Sequence, residues 1–192
     1  MQALLVVDAQ NEFSPKGLRA VPNHDSAVRA ILAHVASARV DARPIAWIRH
    51  HNKPTESRAF IPGTWGAELS AGMGPRAGRE NVERLFTKDV FGAFTTTTLE
   101  QWLRELGVTG VLVTGFYAHM CVSTSVREAL VRDFDVVIDP ESTGARDLDH
   151  ALLGGQSANE VRRTALLQLV NMGATLFEAS APLDVRYAMA NG

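Results

Sequence analysis

Cysteine is almost missing from this sequence: 192 residues hold a single one, Cys121. One thiol cannot close a disulfide within the chain, so no covalent staple stabilises the monomer, as expected for a reducing compartment. Long hydrophobic runs are missing as well. No uncharged apolar stretch approaches the ~18 residues of a membrane span. The N-terminal "MQALLVVDAQ" meets Asp8 before a signal-peptide core can form. The expected setting is the cytoplasm, without a membrane partner. An excess of one charge is also absent. Nineteen Lys and Arg stand against 21 Asp and Glu, and the basic residues are scattered, which excludes a phosphate-tracking surface and nucleic acid as a partner.

Several motifs are lacking. There is no P-loop and no GxGxxG, so nucleotide binding has no motif behind it. There is no GxSxG, the usual elbow of serine hydrolases. His50 and His51 are adjacent, a poor arrangement for one metal, and no Asp-x-His pattern accompanies them. Neither a metal nor another cofactor is expected.

What is present suits one domain spanning 1–192. The composition is 46% hydrophobic and 21% charged, that of a folded, soluble chain long enough to bury a core. Short aliphatic runs alternate with helix-period segments. "ALLVV" (3–7), "PIAWI" (44–48), "ERLFTK" (83–88), "GVLVTG" (110–115), "DVVID" (135–139) and "ATLF" (174–177) read as six strands. Between them lie helical patterns. Val28, Ile31, Leu32 and Val35 share one face, as do Leu99, Trp102, Leu103 and Leu106. Thr98 with Gln101, and Ser157 with Glu160, carry the spacing of capping boxes. This alternation, with strands apolar throughout, predicts a three-layer α/β/α sandwich around a mostly parallel six-stranded sheet. The stretch 49–82, rich in Gly, Pro and charge, is the longest without periodicity and is a candidate functional loop.

Ligands of open α/β sheets bind outside the carboxyl ends of the strands. Asp8 ends the first strand, Lys88 ends the third, and Cys121 lies just past the fourth at a helix start. Each has a bland reading: a small buried hydrophobe, a turn former, a solvated lysine. Together they read as a nucleophilic site. A helix N-terminus and a nearby cation favour the thiolate. Asp8 can take the thiol proton and return it to a leaving amine, while Lys88 holds the carboxylate. Backbone N–H groups of Tyr117 and Cys121 are candidates for an oxyanion hole.

"LLVVDAQNEF" (4–13), "GTWGAEL" (63–69), "TKDVFGAF" (87–94) and "TGFYAHMCVSTSVREAL" (114–130), in this order, resemble the isochorismatase-like cysteine hydrolase superfamily. The resemblance implies a Rossmann-like sandwich and an Asp8–Lys88–Cys121 triad. It implies a thioester route for cleaving a C–N bond of a small amide, carbamoyl or ureido compound, and a non-proline cis peptide at Phe116–Tyr117. It also implies a homo-oligomer, a dimer or tetramer. The matched motifs carry the candidate pocket residues Gln10, Phe13, Trp65, Phe91 and His119. Two departures stand out. "WIRHHNKP" lacks the Asp-x-His of the metal-binding nicotinamidases, and "YAHMC" joins an isochorismatase-like flank to a cysteine that true isochorismatases replace with glycine. Two alternatives therefore stay open: a vinyl-ether hydrolase using Asp8 without the thiol, and a non-catalytic binding or assembly module.

Overall fold

A computed structural model describes residues 1–178. Residues 179–192 of the expected 1–192 domain, including the closing "APLDVRYAMANG", lie outside the described part. Six strands form the main sheet: β1 (Gln2–Val7), β2 (Ile45–His50), β3 (Glu83–Lys88), β4 (Gly110–Phe116), β5 (Asp135–Gly144) and, after the short β6 (Leu148–His150) and β7 (Gly154–Gln156), β8 (Thr175–Leu176). Their order is β3-β2-β1-β4-β5-β8, and every pairing within that sheet is parallel. The helices are α1 (His24–Val40), α2 (Leu99–Glu105), α3 (Ser123–Leu130) and α4 (Ala158–Asn171).

Period-two alternation sorts the side chains of the central strands into two cores. Leu4, Val6, Ile45, Trp47 and Leu112 pack with Ala27, Ile31 and Val35 of α1. Leu5, Val7, Ile48, Val111 and Val113 pack with Trp102 and Leu103 of α2, Val126 and Ala129 of α3, and Leu169 of α4. These strands are buried on both faces, which is why they read as continuous apolar runs and not as alternating ones. The three-layer sandwich is thereby built. No helix among the described residues is long and apolar enough to cross a membrane.

Two local readings change. Thr98 precedes α2 but makes no side-chain capping bond; Ser157 and Glu160 form a full capping box at α4. The segment after β5 also holds an antiparallel hairpin, β6–β7, which its short, glycine-containing strands did not announce.

From β3 the chain returns to the middle of the sheet, so β1 lies between β2 and β4. That is the switch point at which sheets of this kind open a crevice. Gly115 makes the close approach possible there. It pairs with Val7, adopts φ +113°, and a Cβ on it would fall 1.8 Å from the Val7 carbonyl oxygen. Only glycine fits.

Candidate active site

Asp8 follows β1 with φ +51°, a left-handed conformation that aspartate tolerates better than most residues. Lys88 is the last residue of β3, and parallel register sets His50, the last residue of β2, directly beside it. The Lys88 side chain is fully buried and crosses β2 to reach β1. Its Nζ donates to Asp8 Oδ2 at 2.7 Å, to the Val90 carbonyl at 3.1 Å and to His50 Nδ1 at 3.3 Å. An ammonium has no acceptor, so Nδ1 of His50 accepts and Nε2 carries the hydrogen. That Nε2 meets Asn52 Oδ1 at 2.6 Å, and the Asn52 amide donates to the Ala59 carbonyl. Asp8 Oδ1 is buried and receives no hydrogen bond from the described residues.

Cys121 sits in a π-helical turn, Ala118–Val122, between β4 and α3. The preceding Phe116–Tyr117 peptide is cis. Ser125 Oγ donates to the Cys121 carbonyl and accepts the Ala93 N–H. Glu128 of α3 accepts from the Phe94 N–H and the Thr95 hydroxyl. The loop after β3 is thus tied to the helix that carries the thiol. Ligating atoms of Asp8, His50 and Cys121 all lie within 4.8 Å of one another. This is a metal-like donor set, but the Lys88 ammonium is already bonded to two of its three members. A second cation there would be repelled at close range, so the residues do not fit a metal.

The electrostatics differ from the sequence expectation of an acidified thiol. Burial and the Asp8 carboxylate push the Cys121 pKa up, and Lys88 offsets them only in part. Burial works against the Lys88 ammonium, yet attraction to Asp8 and Cys121 outweighs it and raises the lysine pKa. The fold thus favours the Asp8–Lys88 ion pair and disfavours the Cys121 thiolate. Ionising that thiol would put a net negative charge into a buried site.

A cavity of about 290 Å³ opens over the triad, its wall including Asp8, Cys121, Phe13, Phe60, Phe91 and Tyr117. Phe13 packs on Phe60 and edge-on to Tyr117. Burial pushes the Tyr117 phenol up to about 12, against Arg146 and Arg19, which act to lower it. Of the expected pocket residues, Phe13 and Phe91 reach this wall, whereas Gln10, Trp65 and His119 do not. Gln10 is fully buried and clamps backbone, joining its amide to His50 N, His50 O and Ala67 O. Trp65 is 53% exposed, and its carbonyl accepts from Asn11. His119 stacks on Tyr117, while the neighbouring Met120 lines the cavity.

His50, Asn52, Arg19 and Arg146 went unassigned from sequence. For His50 only a partial signal existed: like Asp8 it lies just past an apolar run, and its partner Lys88 follows from strand register alone. Glu12, also unassigned, is buried and accepts the N–H groups of Leu18 and Phe60. It pins two cavity loops together.

Comparison with known proteins places these features in context. The Isochorismatase domain family matches residues 2–179. The secreted isochorismatase effector of Verticillium dahliae is 28% identical over 90% of this chain and 85% of its own. The nicotinamidase/pyrazinamidase of Mycobacterium tuberculosis is 27% identical over 88% of this chain and 98% of its own. The crystal structure of an isochorismatase from Pseudomonas putida superposes with a TM-score of 0.82 at 27% identity, covering 91% of this chain and 86% of that one.

Proposed function

The chain belongs to the isochorismatase family, a family of hydrolases, and from that premise we propose that it hydrolyses a C–N bond of a small amide, carbamoyl or ureido compound through a thioester on Cys121. One observation carries the reading. The Asp8 carboxylate has one oxygen bound by a buried ammonium and the other without an N–H or O–H partner among the described residues, and it faces the buried Cys121 thiol. Lys88 holds Oδ2, which leaves Oδ1 to receive a proton.

In the first step the Cys121 thiol passes its proton to Asp8 as Sγ attacks the carbonyl carbon. The raised thiol pKa makes the two events concerted, because a free thiolate is disfavoured in the resting site. We assign the Tyr117 and Cys121 N–H groups to the oxyanion that forms. Asp8 then returns the proton to the departing nitrogen, leaving an acyl-enzyme. A water deprotonated by Asp8 hydrolyses the thioester and restores the thiol. Lys88 keeps Asp8 oriented and offsets its charge throughout, and His50 and Asn52 hold Lys88 in line. The nicotinamidase/pyrazinamidase relative supports amide chemistry for this site.

Ammonia release from a panel of primary amides and ureido compounds, with intact-mass detection of the acyl-enzyme, tests the proposal. Cys121→Ala is expected to abolish both signals. Amide turnover that survives Cys121→Ala would overturn the thiol route; no amide turnover by the wild type, with cleavage of a vinyl ether that survives Cys121→Ala but not Asp8→Ala, would point to a vinyl-ether hydrolase.

A further inference from the structure

The two acids of the cavity wall are paired with lysines, and its two arginines are not paired with acids. Asp8 is answered by Lys88 at 2.7 Å. Glu56, also in the wall, is answered by Lys53 at 3.5 Å and accepts the Lys53 N–H. Arg19 and Arg146 line the same cavity, and among the described residues neither has a carboxylate within ion-pair distance. The Arg19 guanidinium makes one long contact, 3.5 Å to Ser57 Oγ, while its carbonyl accepts from the Tyr117 hydroxyl. Both guanidiniums act on the Tyr117 phenol, and Tyr117 lies four residues before the nucleophile. Two exposed arginines without an ion-pair partner among the described residues thus line a cavity whose wall also carries Phe13, Phe60, Phe91 and Tyr117.

We infer that the site takes a compact amide bearing a second group, a carboxylate, which Arg19 and Arg146 hold while the amide carbonyl meets Cys121. The inference rests on the hydrolase reading above and adds the class of substrate. Guanidinium groups bind carboxylates through paired, charge-assisted hydrogen bonds, which fix orientation as well as adding affinity. A cavity of about 290 Å³ is at the small end of ligand sites, so both groups belong to one short molecule. Its body is flat or apolar, to lie against Phe13, Phe60 and Tyr117. Anchoring the far end spends binding energy on placing the carbonyl at the thiol.

The test compares matched pairs differing in the anion: 4-carbamoylbenzoate with 4-methylbenzamide, and succinamate, glutaramate and adipamate with butyramide, pentanamide and hexanamide. Ammonia release gives kcat/KM for each. In at least one pair the carboxylate is expected to win by about tenfold or more, the worth of a charge-assisted hydrogen bond. Within the Arg19→Gln/Arg146→Gln double variant that ratio is expected to fall toward one, chiefly through KM; a ratio taken within one protein is insensitive to partial loss of folded material. Equal use of both members of every pair by the wild type overturns the inference and leaves the hydrolase reading standing. A preference that persists in the double variant overturns the assignment to these arginines. Calorimetric binding of the same pairs to Cys121→Ala protein separates the two readings. Anion-selective binding that is lost without the arginines upholds the inference even if no amide is ever cleaved, and binding without selectivity overturns it.

Discussion

Strand β3 starts at one buried charge and ends at another, and the two are treated differently. Glu83 and Lys88 are each 2% exposed. At the Glu83 end, donors from Arg39, Arg79, the Arg76 backbone and the Trp47 indole converge on the carboxylate. Both oxygens are saturated, and the cluster fastens the end of the 49–82 stretch to α1 and β2. At the Lys88 end the ammonium is fully used, but its partner Asp8 keeps one oxygen in reserve. A buried carboxylate with both oxygens satisfied holds shape; a buried acceptor left open is costly unless something transient completes it. Opposite ends of one six-residue strand thus differ: the Glu83 carboxylate is closed, and the carboxylate facing Lys88 keeps an open oxygen, the one to which the proposed mechanism gives a proton.

Replacing Asp8 breaks the chemical end most severely. Asp8→Asn is expected to lower turnover by about 10²–10⁴-fold, the usual worth of a positioned acid–base group. It also strands Lys88 without its counter-charge, at about 3 kcal/mol of stability. Amide hydrolysis and urea unfolding measured on the same preparation read both effects, and undiminished turnover would move the base elsewhere.

Next in size is the structural end. Glu83→Gln is expected to cost about 2–3 kcal/mol, a fall in melting temperature of about 5–10 °C at this chain length, with kcat of the folded protein retained. The Glu83 pKa is lowered: burial opposes the charge, but bonds from Arg39, Arg76 and Arg79 outweigh it. Its contribution is therefore complete above the unfolded carboxylate value of about 4.3 and is lost as pH falls through the lower folded value. The gap in melting temperature between wild type and Glu83→Gln should close in that acid range. A constant gap would contradict the assignment.

The thiol gives a subtler contrast. Its pKa is raised in the fold, so iodoacetamide alkylation of native protein should still be climbing at pH values where the denatured chain, with its midpoint near about 8.5, has levelled off. A native midpoint below that of the denatured chain would show a stored thiolate and remove the need for concerted proton transfer. The smallest effects concern the cavity rim. Phe91→Ala is expected to raise KM several-fold, whereas Trp65→Ala, at an exposed ring outside the wall, should leave KM unchanged and shift stability by no more than about 0.5 kcal/mol.

Much of this was legible in the sequence because strands buried on both faces announce themselves as apolar runs. The residue ending each run is then placed at the ligand edge by the fold class alone. Asp8, Lys88 and Cys121 could be gathered that way. His50 could not be given its part, because its role comes from register: only the pairing of β2 with β3 sets it against Lys88. Gln10 and Trp65 failed as pocket residues for a related reason. Both occur in recognisable motifs, but whether a side chain faces the cavity, the backbone or solvent depends on how the 49–82 stretch folds back, and that stretch has no periodicity to read. Arg19 and Arg146 lie in loops far apart in sequence and become a pair only through the cavity.

Gly115 has a further consequence. The gap between Asp8 and Cys121 is bounded by two main chains touching where a side chain would otherwise stand, so it is a fixed dimension of the frame. Loops on the rim can vary in length and composition, and admit different molecules, without changing how far a proton must travel.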